Sequence, residues 1–262
     1  MAELIFLGTC SGTEPMEGMH HTSLAIECGD SLYWFDAGEC CAHTSYTAKL
    51  PVLNSRAIFV SHPHIDHIGG LPNLLSLFVK LVNHYKLRLA HDNTVHVFFP
   101  GLDLFGAVKC VAFGNSSGVT KRFGIIEEEM RDGLLYEDEN IRVSAIHNRH
   151  LNEDGTNGYH SYSFLIEAEG KKVVFSGDVK ESAELDSLIG DGCDLLIHET
   201  GHHPVNDVCA YALEKKAKAL RFVHHGRDIL ENRSDREKDV SEFGEKNGIS
   251  ARICADMDTE IL

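Results

Sequence analysis

Four side chains able to bind a metal ion fall within six residues of this chain, His62, His64, Asp66 and His67, in the order His-x-His-x-Asp-His. The run before them, Arg56-Ala57-Ile58-Phe59-Val60, is apolar and partly β-branched, the pattern of a buried strand. Behind them, Gly69-Gly70-Leu71-Pro72 opens a helical stretch from Asn73 to Asn83. The four candidates therefore sit in a loop at the C-terminal end of a strand, where open α/β layers place their chemistry. A loop can turn neighbouring side chains to one point, whereas a regular strand sends them to opposite faces. One histidine among the 17 of this chain would carry little weight, but three with an aspartate at this spacing mark a metal site. Imidazole and carboxylate without thiolate suit zinc, manganese or iron rather than a Cys-built structural zinc.

Net charge bounds the partner. The chain has 24 basic against 40 acidic residues, a formal charge of −16, and no basic run. Affinity for a polyphosphate backbone comes largely from Lys and Arg, so this balance disfavours a large nucleic-acid partner. No stretch reads as apolar enough to span a bilayer, which needs about 20 such residues, and no membrane association is expected. The start, Met1-Ala2-Glu3-Leu4, lacks a basic, cleavable leader. The expectation is a cytoplasmic protein whose eight scattered cysteines stay reduced and bind no metal.

Further candidates end other strand-like runs. Thr22–Glu27 and Ser31–Phe35 read as a hairpin, followed by Asp36-Ala37-Gly38 and a helix over Cys41–Leu50. Val95–Pro100 reads as a strand, Gly101–Phe113 as a helix and 114–119 as a Gly/Ser loop, while Phe123–Met130 fits strand or helix. Ile141–Ile146 alternates like a strand and ends in His147-Asn148-Arg149-His150. A hairpin over Tyr159–Glu167 and Lys171–Phe175 leads into Ser176-Gly177-Asp178. The strand Cys193–Ile197 is capped by His198-Glu199-Thr200-Gly201-His202-His203, with a helix over Pro204–Lys218. Leu220–Val223 is a buried strand before His224-His225, Asp235–Lys246 a charged helix, and Ile249–Cys254 with Glu260–Leu262 a terminal hairpin turning at Asp256. The residues alone leave three choices open: His147 or His150, His202 or His203, and His224 or His225. No internal repeat is evident.

The motif at His62–His67 followed by Gly69-Gly70 resembles the signature of the metallo-β-lactamase fold hydrolases. Leu7-Gly8-Thr9-Cys10-Ser11-Gly12 is similar to the opening of their ribonuclease Z and phosphodiesterase branch, and the resemblance runs from Leu4 to Asp258. It implies an α/β fold, the four-layer αββα sandwich, as one domain over residues 1–262. It implies two divalent ions, zinc first, with manganese, iron or nickel also suited. His62, His64 and His150 would hold one ion, Asp66, His67 and His224 the other, with Asp178 bridging and Asp36 supporting from behind. The family position selects His150 over His147 and His224 over His225. It also makes His202 rather than His203 the catalytic acid, oriented by Glu199, with Asp66 part of the catalytic set. A hydroxide held between the ions would attack a phosphodiester. Many relatives are dimers, which makes a homodimer a further implication. Ribonuclease Z itself carries a Gly- and basic-rich arm before the Gly-Asp motif, but here only 28 positions separate His150 from Asp178. The expected substrate is therefore a small or cyclic phosphodiester. A ribonuclease Z-like nuclease, or a lactonase or thioesterase, is the alternative.

Overall fold

Ser31-Leu32-Tyr33-Trp34-Phe35 shows why the molecule is layered. All five residues are buried, Tyr33 and Phe35 in one core and Leu32 and Trp34 in another. A strand without a wet face belongs in a sheet covered on both sides. The computed structural model describes residues 1–13, 16–114, 122–151 and 158–262, and its strands form two seven-stranded sheets.

In chain order the elements are β1 (Ala2–Gly8), β2 (Ser23–Cys28), β3 (Ser31–Phe35), α1 (Cys41–Thr47), β4 (Ser55–Phe59), α2 (Ile65–Ile68), α3 (Leu71–Val79), β5 (Thr94–Phe99), α4 (Leu102–Phe113) and β6 (Gly124–Glu129). Then come β7 (Gly133–Glu137), β8 (Ile141–Asn148), β9 (Ser161–Ala168), β10 (Lys171–Phe175), α5 (Asp186–Ile189), β11 (Leu195–Thr200), α6 (Val205–Glu214), β12 (Ala219–His225), α7 (Arg227–Asn247), β13 (Ser250–Ile253) and β14 (Thr259–Ile261). The first sheet has the order β14-β1-β2-β3-β4-β5-β6, the second β13-β12-β11-β10-β9-β8-β7. Along β1 to β6 the pairings run antiparallel twice and then parallel three times. The series β8 to β13 repeats that pattern. An antiparallel outer strand extends each series, β14 on β1 and β7 on β8. The internal repeat that the sequence hides is thus present in the topology.

Between the sheets Phe59 stacks on Phe35 and Phe98 at centroid distances of 5.0 and 4.9 Å, and Phe164 of the facing sheet meets Phe35 edge-on at 5.6 Å. On the outer face of the first sheet, α1, α3 and α4 supply Cys41, Leu74, Phe78 and Phe105. On the second, α5, α6 and α7 supply Leu188, Val208, Ile229 and Val240. This is the four-layer αββα sandwich.

Several boundaries differ from the sequence reading. The expected terminal hairpin does not form: β13 pairs with β12 and β14 with β1, so the turn between them crosses from one sheet to the other. Strand β11 runs on through Thr200 and β12 through His225, because ladder pairing continues past the last apolar residue. Phe123–Met130 resolves as β6 beside β5, and α7 starts eight residues earlier than its charge pattern suggests. Residues 115–119 of the Gly/Ser loop lie outside the described residues. The helical run Ile65–His84 is long and apolar enough to cross a membrane, contrary to the sequence reading. Leu71, Leu74, Leu75 and Phe78 of that run are instead packed on the first sheet.

Candidate metal centre

Loops leaving the C-terminal ends of β3, β4, β8, β10, β11 and β12 meet at one rim of the sandwich. Directly after β3, Asp36 takes a left-handed φ of 60°, a conformation that aspartate tolerates better than most residues. Its carboxylate accepts hydrogen bonds from the Ser61 backbone N–H at 2.7 Å, from Ser61 Oγ at 2.8 Å and from His67 Nδ1 at 2.7 Å. With Nδ1 committed, His67 presents Nε2 to the rim, the arrangement by which carboxylates orient metal-binding histidines. Ser61, which the sequence reading passed over, also lies 3.0 Å from His62 Nδ1 and so touches two of the histidines that follow it. Its only sequence signal is its place between the strand and the motif.

The predicted residues converge into overlapping groups. Ligand atoms of His62, His64, His150 and Asp178 lie within 4.8 Å of one another, as do those of Asp66, His67 and His224. Asp178 stands between them: Oδ2 is 3.7 Å from His62 Nε2, 3.6 Å from His150 Nε2 and 3.3 Å from His224 Nε2, while Oδ1 is 3.4 Å from His67 Nε2. Asp66 Oδ2 is 3.2 Å from His224 Nε2. Gly177 makes this placement possible, since at its φ of +54° a Cβ would lie 2.7 Å from the Tyr162 carbonyl oxygen.

The histidine pairs separate cleanly. His150 joins the cluster, whereas exposed His147 turns to Asp132, with Nδ1 2.7 Å from Oδ2. His224 has a φ of 50°, which breaks the strand alternation and aims it at the rim. Buried His225 instead donates from Nε2 to the Cys254 carbonyl at 2.8 Å. His202 donates from Nδ1 to Glu199 Oε1 at 2.9 Å and stacks on His224 at 5.7 Å, while His203 donates to the Val179 carbonyl at 3.0 Å. Asp178, His202 and His224 also form a compact group, so His202 borders the donor cluster as well as the open cleft. That cleft, about 540 Å³, is lined by Ser11, Thr13, Gly201, His202 and Arg227 among others.

Burial pushes His62 well below its ordinary pKa and His150 down to about 4, which leaves both rings neutral. Burial works the same way on His67 and His224, but neighbouring carboxylates win. Asp178 and Asp36 hold His67 well above its ordinary value, and Asp178 with Asp66 holds His224 at about 9. Burial likewise opposes ionisation of Asp178, yet His224 and His67 keep its carboxyl below the usual range. The Glu199 hydrogen bond raises His202.

Do these residues fit a metal? His67 Nε2, Asp178 Oδ1 and His224 Nδ1 are buried without a hydrogen-bond partner, although the first two face each other. A buried polar atom left unpaired costs about 1–3 kcal/mol. Imidazole nitrogens and carboxylate oxygens converging at these distances give a divalent cation the donors it needs.

The chain is similar to several known proteins. Ribonuclease Z of Listeria welshimeri is 29% identical over 180 residues, which cover 67% of this chain and 52% of that protein. The chain thus spans about half the length of this curated relative. Ribonuclease Z of Thermococcus kodakarensis is 25% identical over 300 residues, covering 98% of this chain and 94% of that one. Among solved structures, the metallo-β-lactamase fold protein YhfI from Bacillus subtilis superposes with a TM-score of 0.75 at 17% identity, covering 99% of this chain and 98% of that one. The sandwich is therefore a metallo-β-lactamase fold. The model of one family matches residues 2–246, from β1 into the end of α7 and across every residue of the cluster, and this chain belongs to that family, the anti-Pycsar protein Apyc1 family.

Proposed function

We propose that the protein is a dinuclear metal-dependent phosphodiesterase acting on small or cyclic phosphodiesters. The observation that carries this reading is the pair of donor groups sharing Asp178, set beside the His202–Glu199 pair at the mouth of a cleft. His62, His64, His150 and Asp178 would hold one divalent ion, and Asp66, His67, His224 and Asp178 the other. Ions bound there supply a Lewis acid that activates water near neutral pH and neutralises charge on a phosphoryl oxygen. Zinc suits the donors, as do manganese, iron and nickel.

The remaining chemistry belongs to the protein's own side chains. Glu199 is fully buried and accepts from both the His202 backbone N–H at 2.8 Å and the ring Nδ1. Nδ1–H is thereby fixed, and Nε2 is the atom free to give a proton to the departing oxygen, as a general acid does. The side chain is 46% exposed, so a substrate can reach it. A cleft of this volume suits a small ligand. The charge of −16 and the short connection between His150 and Asp178 give a long polyanion little to hold.

The relatives are ribonucleases by name, which supports phosphodiester chemistry and makes a nuclease the second reading. The deciding experiment is a turnover panel on metal-reconstituted protein with metal content measured on the same sample. It uses bis-p-nitrophenyl phosphate, 2′,3′- and 3′,5′-cyclic nucleotides, a short RNA, a lactone and a thioester. Turnover of the small phosphodiesters with about two ions per chain is expected. Turnover of the RNA alone would favour the nuclease, and of the lactone or thioester alone would end the phosphodiesterase reading.

A further inference from the structure

The segment that crosses between the sheets after β13 reaches back to the candidate centre. It is tied down first by backbone bonds, with Phe6 N–H donating to the Asp258 carbonyl at 3.0 Å and Met257 N–H to the Phe6 carbonyl at 2.6 Å. Glu260 then accepts two bonds of 2.8 Å from the Arg221 guanidinium, joining β14 to β12. Directly ahead of these anchors lies Asp256, whose side chain is only 8% exposed although it sits in a turn.

Its carboxylate is fully engaged by two segments more than 230 residues away. Oδ1 accepts from Thr9 N–H at 2.9 Å and Thr9 Oγ1 at 2.8 Å, and Oδ2 accepts from His20 N–H at 2.6 Å. Those segments are themselves laced together and to β12. Cys10 N–H donates to the His20 carbonyl at 2.9 Å, and His225 N–H donates to the Thr9 carbonyl at 2.8 Å. The His225 carbonyl accepts from Ser11 N–H at 3.2 Å and Ser11 Oγ at 2.8 Å. The loop ends on Asp66: a Cβ at Gly12 would lie 2.9 Å from Asp66 Oδ2. Ser11 and Thr13 line the cleft beside His202.

We propose that Asp256 is a positioning residue: it holds the Thr9–Gly12 loop against Asp66, and the loop forms one wall of the substrate cleft. The loop's geometry stands on the bonds above, and only its effect on substrate rests on the phosphodiesterase reading. Without the carboxylate, the Thr9 and His20 N–H groups lose their acceptor, and the wall is free to lift from Asp66. Loss of such a wall weakens substrate binding while leaving the chemical groups in place, so KM rises and kcat does not fall with it.

The test compares D256A, D256N, T9V and E260A with the wild type, each full-length and metal-loaded. It measures bis-p-nitrophenyl phosphate kinetics and amide hydrogen exchange at Cys10 and Ser11. D256A is expected to raise KM about tenfold with kcat changed less than about twofold, and to speed exchange at both amides. D256N, which keeps one carbonyl oxygen, and T9V, which removes only the Oγ1 bond, should show smaller shifts of the same kind. E260A loosens the crossing segment without touching the loop, so it should lower thermal stability and move neither readout. Equal effects of E260A and D256A, or D256A with unchanged KM and exchange, would overturn the proposal. If D256A does not fold, T9V decides, because it keeps the Thr9 N–H bond: no change in it would overturn the proposal. If the wild type turns over no phosphodiester, the functional reading fails, and the exchange measurement still decides the positioning role.

Discussion

Asp36 offers the sharpest test of how the centre is built, through the substitution Asp36→Asn. Asparagine keeps the shape and accepts the left-handed backbone at this position, so the change isolates the second carboxylate oxygen. Three donors point at Asp36: Ser61 N–H toward Oδ1, and Ser61 Oγ and His67 Nδ1 toward Oδ2. Whichever way the amide turns, its NH₂ meets one side of that set. Turned toward Ser61 N–H, two donors face each other at 2.7 Å in a fully buried site, a loss of about 1–3 kcal/mol of folding stability. Turned toward His67, it forces Nδ1 to accept and moves the ring proton to Nε2, the nitrogen 3.4 Å from Asp178 Oδ1. A protonated Nε2 cannot bind a metal. Disturbing such an outer partner lowers metal affinity by about 10–100-fold, or about 1.4–2.7 kcal/mol. Competition against a chromophoric chelator measures the affinity, and urea denaturation of the metal-free proteins measures the stability. A D36N protein that binds metal as tightly as the wild type and is also as stable would refute the reasoning that the Asp36 carboxylate serves both Ser61 and the His67 tautomer.

The remaining expectations concern neighbouring histidines and the core. H202A should keep its metal content and lose about 10²–10⁴ in kcat, whereas H203A should stay within a few-fold of wild type, as steady-state kinetics with metal analysis will show. Loss of metal from H202A would make His202 a ligand instead of the acid. H225A removes the bond to the Cys254 carbonyl and the 3.2 Å approach to Thr200 Oγ1, so it should cost about 1–3 kcal/mol in urea denaturation with metal content unchanged. F59A empties the stack between Phe35 and Phe98 and should cost about 3–5 kcal/mol by the same assay; a loss below about 1 kcal/mol would mean the inter-sheet core collapses around the gap.

Residues whose spacing encodes a joint task were legible in the sequence. His62, His64, Asp66 and His67 converge because a short loop and one turn of helix follow a buried strand, and both parts are written in adjacent residues. His150, Asp178, His202 and His224 required the family resemblance, because each stands alone after its own strand. What separates His224 from His225 is a backbone angle, a φ of 50° at the end of β12, and no side-chain pattern announces it. Ser61 and Asp256 were invisible for another reason. Each acts through hydrogen bonds to partners fixed only by the fold, Asp256 across 247 positions to Thr9. The terminal hairpin was misread because two apolar stretches with a turn between them look alike whether they pair with each other or with strands of two different sheets.

The repeat in the topology explains the layout of the centre in a way the sequence could not. Matching β1–β6 to β8–β13 makes β3 the counterpart of β10, so Asp36, directly after β3, and Asp178, three residues after β10, follow corresponding strand ends at the rim. Both loops need an unusual backbone, the positive φ of Asp36 in one and of Gly177 in the other. The two carboxylates then grip one ring from opposite sides: Asp36 Oδ2 lies 2.7 Å from His67 Nδ1, and Asp178 Oδ1 lies 3.4 Å from His67 Nε2. Only one of those contacts is a formed hydrogen bond, and the other is a gap between two buried polar atoms without partners. β4 and β11 are counterparts too, the first leading into His62–His67 and the second ending in Glu199 ahead of His202. One half of the molecule therefore places the His62–His67 run, and the other places the hydrogen-bonded Glu199–His202 pair on the counterpart loop. Pairing geometry preserves this relation while side chains diverge, because a strand ladder depends on backbone groups that every residue but proline carries. The symmetry is thus present in the fold and absent from the residues, and the two halves contribute different side chains to the rim.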